Sequence, residues 1–289
     1  MTYHLPQCKD VGPESAGWAY SGLRILDLPA GGTHRFATGA DEVFVVPLSG
    51  ACTVRCDGFT AELAGRPGVF AGVTDFAYAP RDTTVTVSSA AGGRFAVPTA
   101  RARRRLAPAY VPRERVPVEL RGAGNCSRQV NNFGTPDAFP AADRLIACEV
   151  LTPAGNWSSY PPHKHDEDRP GESVLEEIYY FEVARGGMAY QRLYADDIDV
   201  LAEVRGGDVV LVPRGWHGPS MAAPGYDLYY LNVMAGPADQ RAWLVCDDPA
   251  HGWIRGTWAD QPVDPRLPFG PSPAGSTSSA SPHGRREQG

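Results

Sequence analysis

Long apolar runs are what this 289-residue chain most plainly lacks. Its aliphatic stretches are short and interrupted, far from the roughly 20 apolar residues of a membrane-spanning helix. The opening MTYHLPQCKD has no basic cluster followed by an apolar stretch, so no secretory leader is read there. Cysteine is sparse and scattered: none of Cys8, Cys52, Cys56, Cys126, Cys148 and Cys246 stands in a Cys-x-x-Cys pair. That argues against a structural zinc site or a redox dithiol and leaves small core residues in a reducing compartment. Positive charge is not in excess either. A net charge of −6 argues against a general nucleic-acid binder. Lysine is nearly missing, with Lys9 and Lys164 alone among 27 basic residues, an arginine bias of the kind a GC-rich genome produces. What these absences leave is a soluble cytoplasmic protein with no membrane or nucleic-acid partner.

Helical periodicity is scarce, with short helical pieces expected only near Asp137–Asp143 and Ala238–Arg241. What the chain has instead is 32 glycines and 27 prolines, which place turn signals roughly every 8–12 residues. Between them lie short β-branched and aromatic runs such as Thr83-Thr-Val-Thr-Val, Asp208-Val-Val-Leu-Val and Asp227-Leu-Tyr-Tyr-Leu-Asn-Val. The expected fold is all-β, a sandwich or barrel with few short helices. The chain also repeats itself. Glu42-Val-Phe-Val-Val-Pro-Leu-Ser-Gly50 resembles Glu177-Ile-Tyr-Tyr-Phe-Glu-Val-Ala-Arg-Gly186, and a Pro-Arg pair follows each acid, at Pro80 and Pro213. The acid-to-proline spacings are 38 and 36 residues, which implies two similar barrels in tandem. The basic, proline-bearing stretch from Thr99 to Pro117 reads as a connector. These signals divide the chain into barrels at 1–115 and 116–265 and a disordered tail at 266–289, which is made of small and polar residues from Gly270 onward.

Histidine carries the chemistry. Seven are present, and two stand in Pro161-Pro162-His163-Lys164-His165. On a strand, residues i and i+2 share a face, so His163 and His165 present their imidazoles side by side. The adjacent acids Glu176 and Glu177 follow, and His217 closes Val212-Pro213-Arg214-Gly215-Trp216-His217. Three imidazoles and one carboxylate form a mixed nitrogen–oxygen set suited to one divalent ion, Zn or Mn foremost and Fe, Ni or Co also. Positions left over for water or substrate make such a site catalytic rather than structural.

His163-x-His165, the following Glu and Gly207…Pro213-Arg-Gly-Trp-His217 resemble the two signatures of the cupin barrel. The long insertion between His165 and Glu177 resembles one bicupin group, the 5-deoxy-glucuronate isomerases. So do Arg121-Gly-Ala-Gly-Asn-Cys-Ser-Arg128, Trp157-Ser-Ser-Tyr160 and Gln191-Arg192-Leu-Tyr194. The resemblance spans roughly residues 15–262 and implies tandem cupin barrels with His163, His165, Glu177 and His217 as metal ligands. It implies an N-terminal barrel that is structural and metal-free. The implied reaction is the aldose–ketose conversion of 5-deoxy-D-glucuronate to 5-dehydro-2-deoxy-D-gluconate in myo-inositol catabolism. A sugar acid needs a cationic partner, for which Arg192, Arg128 and Lys164 are the candidates, with Gln191 to orient a hydroxyl. Tyr179, on the face of Glu177, and Tyr229 are the candidates for proton transfer, whereas Glu182 falls on the opposite face. Cupins associate through their sheets, so a homo-oligomer is compatible with the resemblance. Three other readings compete: an isomerase of a 4-deoxy-5-keto sugar acid, a metal-dependent dioxygenase, and a sugar-sensing cupin, although no helix-turn-helix pattern accompanies it.

Overall fold

The structure is a computed structural model that describes residues 2–270. The all-β expectation holds. Strands dominate, with one short α-helix, Pro13–Ala16, and a few 3-10 segments, of which Gly252–Asp260 is the longest. Neither expected helical piece forms. Phe139 and Ala142 are drawn into the core instead, and the amides of Asp143, Arg144 and Leu145 are given to the Glu42 carboxylate rather than to helix carbonyls. The segment around 238–241 stays a loop because the Arg241 guanidinium binds the carbonyls of Leu145 (2.8 Å) and Phe139.

Residues 10–111 build a nine-stranded sheet system in which the long strand Asp41–Cys56 pairs with four neighbours. Residues 118–247 build a second barrel. One wall orders Val209–Val212, Glu176–Val183, Leu228–Ala235, Ile146–Thr152, Arg128–Gly134 and Val118–Arg121; the other centres on Trp216–Ala222. The N-terminal strand His4–Leu5 joins the second barrel by pairing with Val209–Val212. Residues 266–270, read from sequence as the start of the tail, are anchored: Arg266 binds Asp264 and the Phe269 amide donates to Gln129 (2.6 Å). The rest of that tail lies outside the described residues.

Three cores result, one inside each barrel and one between them. Strand alternation assigns side chains to these cores. On Glu176–Val183, Ile178 and Tyr180 enter the layer between the barrels, while Tyr179 and Phe181 point into the second barrel. On Leu228–Ala235, Tyr229 and Leu231 enter the intermediate layer, while Tyr230 and Met234 point inward.

Two reciprocal carboxylate clamps tie the barrels together. Glu42 of the first accepts the amides of Asp143, Arg144 and Leu145, and Glu176 of the second accepts those of Ala19, Tyr20 and Ser21. Each carboxylate is thereby satisfied by backbone donors. The clamps also correct the register of the repeat. Glu42 pairs with Ala100 as Glu176 pairs with Ala235, so the counterpart of Glu42 is Glu176, and Val43 takes the place of Glu177. A one-residue slip of this kind exchanges the two faces of a strand.

Between the barrels, Arg66 forms a bidentate ion pair with Glu149, both nearly inaccessible, and Tyr229 and Asn131 donate to the same carboxylate. Removing one partner of a buried pair strands the other's charge, at a cost of about 3–5 kcal/mol. Arg66→Met is expected to lower the thermal midpoint by about 10 °C, read by calorimetry. An unchanged midpoint would show that the pair does not hold the barrels together.

Candidate metal centre

The strand His163–Lys164 lies against Trp216–Ala222 with His163 directly opposite His217. Glu177 faces them from the other wall of the barrel, at the head of Glu176–Val183. From His165 the chain loops out and returns at Leu175, whose amide donates to the His165 carbonyl (3.0 Å). This loop is the insertion noted in the sequence. Lys164 Nζ closes it by bonding Asp166 (2.5 Å), Glu167 (2.5 Å) and Glu172 (3.1 Å). Asp166 in turn accepts the Gly215 amide (2.7 Å), linking the loop to the turn before His217.

Three donors converge. His165 Nε2 and His217 Nε2 each lie 3.0 Å from Glu177 Oε2. The histidines are aimed from behind. His165 Nδ1 is 3.1 Å from the Leu175 carbonyl and His217 Nδ1 is 3.1 Å from that of Gly215, so each Nδ1 carries the proton and each Nε2 lone pair faces inward. Asn232 donates to Glu177 Oε1 (2.6 Å) and leaves Oε2 for the centre. Burial pushes the Glu177 carboxyl up, but the adjoining His165 and His217 outweigh it and keep it below the ordinary carboxylate range. Two inward imidazole nitrogens and a carboxylate oxygen suit a divalent transition metal, and His217 Nε2 has no hydrogen-bond partner without one. The His163 ring stands 4.4 Å from that of His217 and 6.4 Å from that of His165, with Nδ1 turned to the Pro161 carbonyl (3.4 Å) and Nε2 left over. In the first barrel the corresponding positions are Ala37, opposite Thr84, and Val43, none of them a nitrogen or carboxylate donor.

A cavity of about 290 Å³ opens beside these donors. Its wall includes Arg128, which is 4% exposed and stacks on Trp258. Arg121 and Arg255 line it too, but each is neutralised, by Glu119 and Asp247. Arg128 bonds only the carbonyls of Cys126 (3.0 Å) and Tyr160 (3.3 Å), and no described carboxylate pairs with it. Burial pushes its guanidinium down to about 10, with Arg121 and Arg255 pushing the same way. A buried cation without a counter-ion is a site for an anion.

Of the other residues picked from sequence, Tyr179 lines this cavity and the rest do not. Tyr229 points between the barrels at Glu149, because alternation puts Tyr230 rather than Tyr229 on the inner face. Arg192 lies on the outer face of Ala189–Ala195, paired with Asp199 and stacked on Tyr194. Gln191 is buried inside the barrel, bound to Ser220, away from the cavity wall. Lys164 is consumed by its three carboxylates and packs on Trp216. The sequence reading missed Asn232, Tyr230 and Ser159. Asn232 did carry a signal, as a lone amide in the apolar run Leu228-Tyr-Tyr-Leu-Asn-Val-Met-Ala.

Residues 4–254 match the model of the KduI/IolB family. The chain is 44% identical over 250 residues to the 5-deoxy-glucuronate isomerase of Geobacillus kaustophilus, covering 84% of this chain and 89% of that protein. Its structure resembles that of an IolB-like protein from Salmonella typhimurium LT2, with a TM-score of 0.83 and 32% identity over 88% of this chain and 99% of the other. An oxalate decarboxylase from Lactobacillus farciminis shares the two-barrel cupin fold alone, with a TM-score of 0.64 and 10% identity over 86% of this chain and 88% of the other. The motifs around His163, Glu177 and His217 thus sit in a chain that belongs to the KduI/IolB family.

Proposed function

We propose that the protein isomerises 5-deoxy-D-glucuronate to 5-dehydro-2-deoxy-D-gluconate, an aldose–ketose conversion in myo-inositol breakdown. One observation carries this reading: a single cavity holds the convergent His165, Glu177 and His217 donors and an unpaired, buried Arg128. Such a cavity suits a molecule with a carbonyl at one end and a carboxylate at the other. His163, His165, Glu177 and His217 would hold one divalent ion, Zn or Mn foremost, which supplies Lewis acidity to the carbonyl and its neighbouring hydroxyl. Arg128 binds the carboxylate and fixes which end of the sugar enters. Tyr179 stays a neutral phenol, because burial and the Glu177 charge push it well above the ordinary tyrosine range. It therefore serves as a hydroxyl partner of the reacting oxygens and not as a phenolate base. The first barrel acts as a buttress, covering the wall that carries Glu177 and Asn232.

The arginines and tyrosines of the cavity favour a polar sugar acid over the apolar substrate of a dioxygenase. The test supplies 5-deoxy-glucuronate and, separately, a 4-deoxy-5-keto uronate, and follows ketose formation and oxygen uptake. Turnover of the first without oxygen uptake is the expected result; preference for the second, or oxygen consumption, would overturn the assignment. Because Arg192 faces outward, Arg192→Ala is expected to keep kcat/KM within about threefold of wild type. A tenfold or larger rise in KM would restore Arg192 as a substrate ligand.

A further inference from the structure

A row of hydroxyls runs along the cavity wall, and counting donors gives its direction. Ser158 Oγ lies 3.4 Å from the Ser220 carbonyl, which can only accept, so the single Ser158 proton goes there. Thr152 (2.6 Å) and Tyr230 (3.0 Å) then donate to Ser158. With its own proton committed, the Tyr230 oxygen accepts from Ser159 (2.9 Å), and Ser159 accepts from Tyr179 (3.2 Å). The protons therefore point from Tyr179 through Ser159 and Tyr230 towards the barrel interior. Lone pairs of Tyr179 and Ser159 are left over, and both residues line the cavity with Glu177. Ser159 is held there against its backbone preference. Its φ of 45° lies in the left-handed region that favours glycine, and strain of this kind collects at functional sites. Gly218 (φ 91°) packs against it so closely that a Cβ at 218 would sit 1.8 Å from the Ser159 carbonyl oxygen.

Resting on the isomerase reading above, we propose that Tyr179 and Ser159 relay the hydroxyl proton of the reaction from O2 to O1. In an aldose–ketose conversion the hydrogen on C2 moves to C1, the C1 carbonyl becomes an alcohol and the C2 alcohol becomes a carbonyl. Whichever way the carbon-bound hydrogen travels, a proton must leave O2 and a proton must reach O1. O2 gives its proton to the Tyr179 oxygen, Tyr179 passes its own to Ser159 Oγ, and Ser159 swings its proton from Tyr230 to O1. Each O–H bond broken is matched by one formed, neither residue keeps a charge, and no further reactant is consumed. Tyr230 supplies the acceptor on which the Ser159 proton rests between turnovers.

Ser159→Gly removes the hydroxyl at a φ that glycine adopts freely, and Tyr179→Phe removes the other while keeping the ring. For each, kcat is expected to fall by about 10²-fold, with KM and bound metal unchanged. The proton inventory in mixed H₂O and D₂O should change from bowed in the wild type to linear in Ser159→Gly. A Ser159→Gly protein with kcat within about threefold of wild type and the same solvent isotope effect would overturn the relay. So would a loss of kcat matched by loss of metal in both variants, which would mark a structural role. A wild type that turns over no uronate at all would instead remove the isomerase reading on which the relay rests.

Discussion

His217→Ala is expected to lose bound metal and turnover together, with activity falling by about 10³-fold or more, the scale of Lewis-acid stabilisation. His217 is fully buried, its Nδ1 is spent on the Gly215 carbonyl, and its Nε2 meets Glu177 Oε2 at 3.0 Å. Alanine removes one of the three converging donors and leaves only His165 and Glu177 of that cluster. Metal analysis beside a thermal melt separates loss of the ligand from loss of the fold. A variant that keeps its metal but loses activity would place His217 in the reaction rather than in the coordination sphere.

Arg128→Met should have the next largest effect, and its signature is unusual. Losing a buried charge that binds a carboxylate costs about 2–5 kcal/mol of binding, so kcat/KM falls by about 30- to 4,000-fold, mainly through KM. Stability should not fall. Arg128 has no carboxylate partner in the free protein, and an unpaired buried cation opposes folding until an anion arrives. Burial holds the guanidinium at about 10, below its ordinary value, so the strain it imposes is present at neutral pH and is relieved as pH rises through about 10. Substrate binding should weaken over the same interval, since the cation is what binds. A thermal midpoint in Arg128→Met at or above that of the wild type, beside a large KM, fits this account; a midpoint several degrees lower would show that Arg128 is a structural residue.

Much of the site was legible because metal chemistry needs particular residue types at particular spacings. His163-x-His165, an acid at the head of an aromatic strand and a histidine behind a Pro-x-Gly turn can be read without coordinates, and so can the tandem β-rich halves. Facing was harder. The strands Glu176–Val183 and Leu228–Ala235 are covered on both sides, on one by their own barrel's interior and on the other by the first barrel, so their sequences run nearly continuously apolar. No alternation marks which tyrosine points inward, so the sequence does not separate Tyr229, which lies between the barrels, from Tyr230, which lies inside the second. The same absence let the repeat slip by one residue, aligning Glu42 with Glu177 instead of Glu176. Lys164 and Arg192 failed for another reason. Their partners, Glu172 and Asp199, lie several residues away, and a sequence does not say which charges will neutralise each other. Arg128 matters because it has no such partner, and that too is visible only in the fold.

The central claim is that one divalent ion, held in the second barrel, is required for conversion of the uronate. Stripping metal from the wild type with a chelator and titrating it back while following 5-deoxy-glucuronate conversion tests this most directly. Stripping is expected to abolish turnover, and activity to return linearly and saturate at about one ion per chain. Full turnover by the stripped protein, or saturation at about two ions per chain, would contradict it.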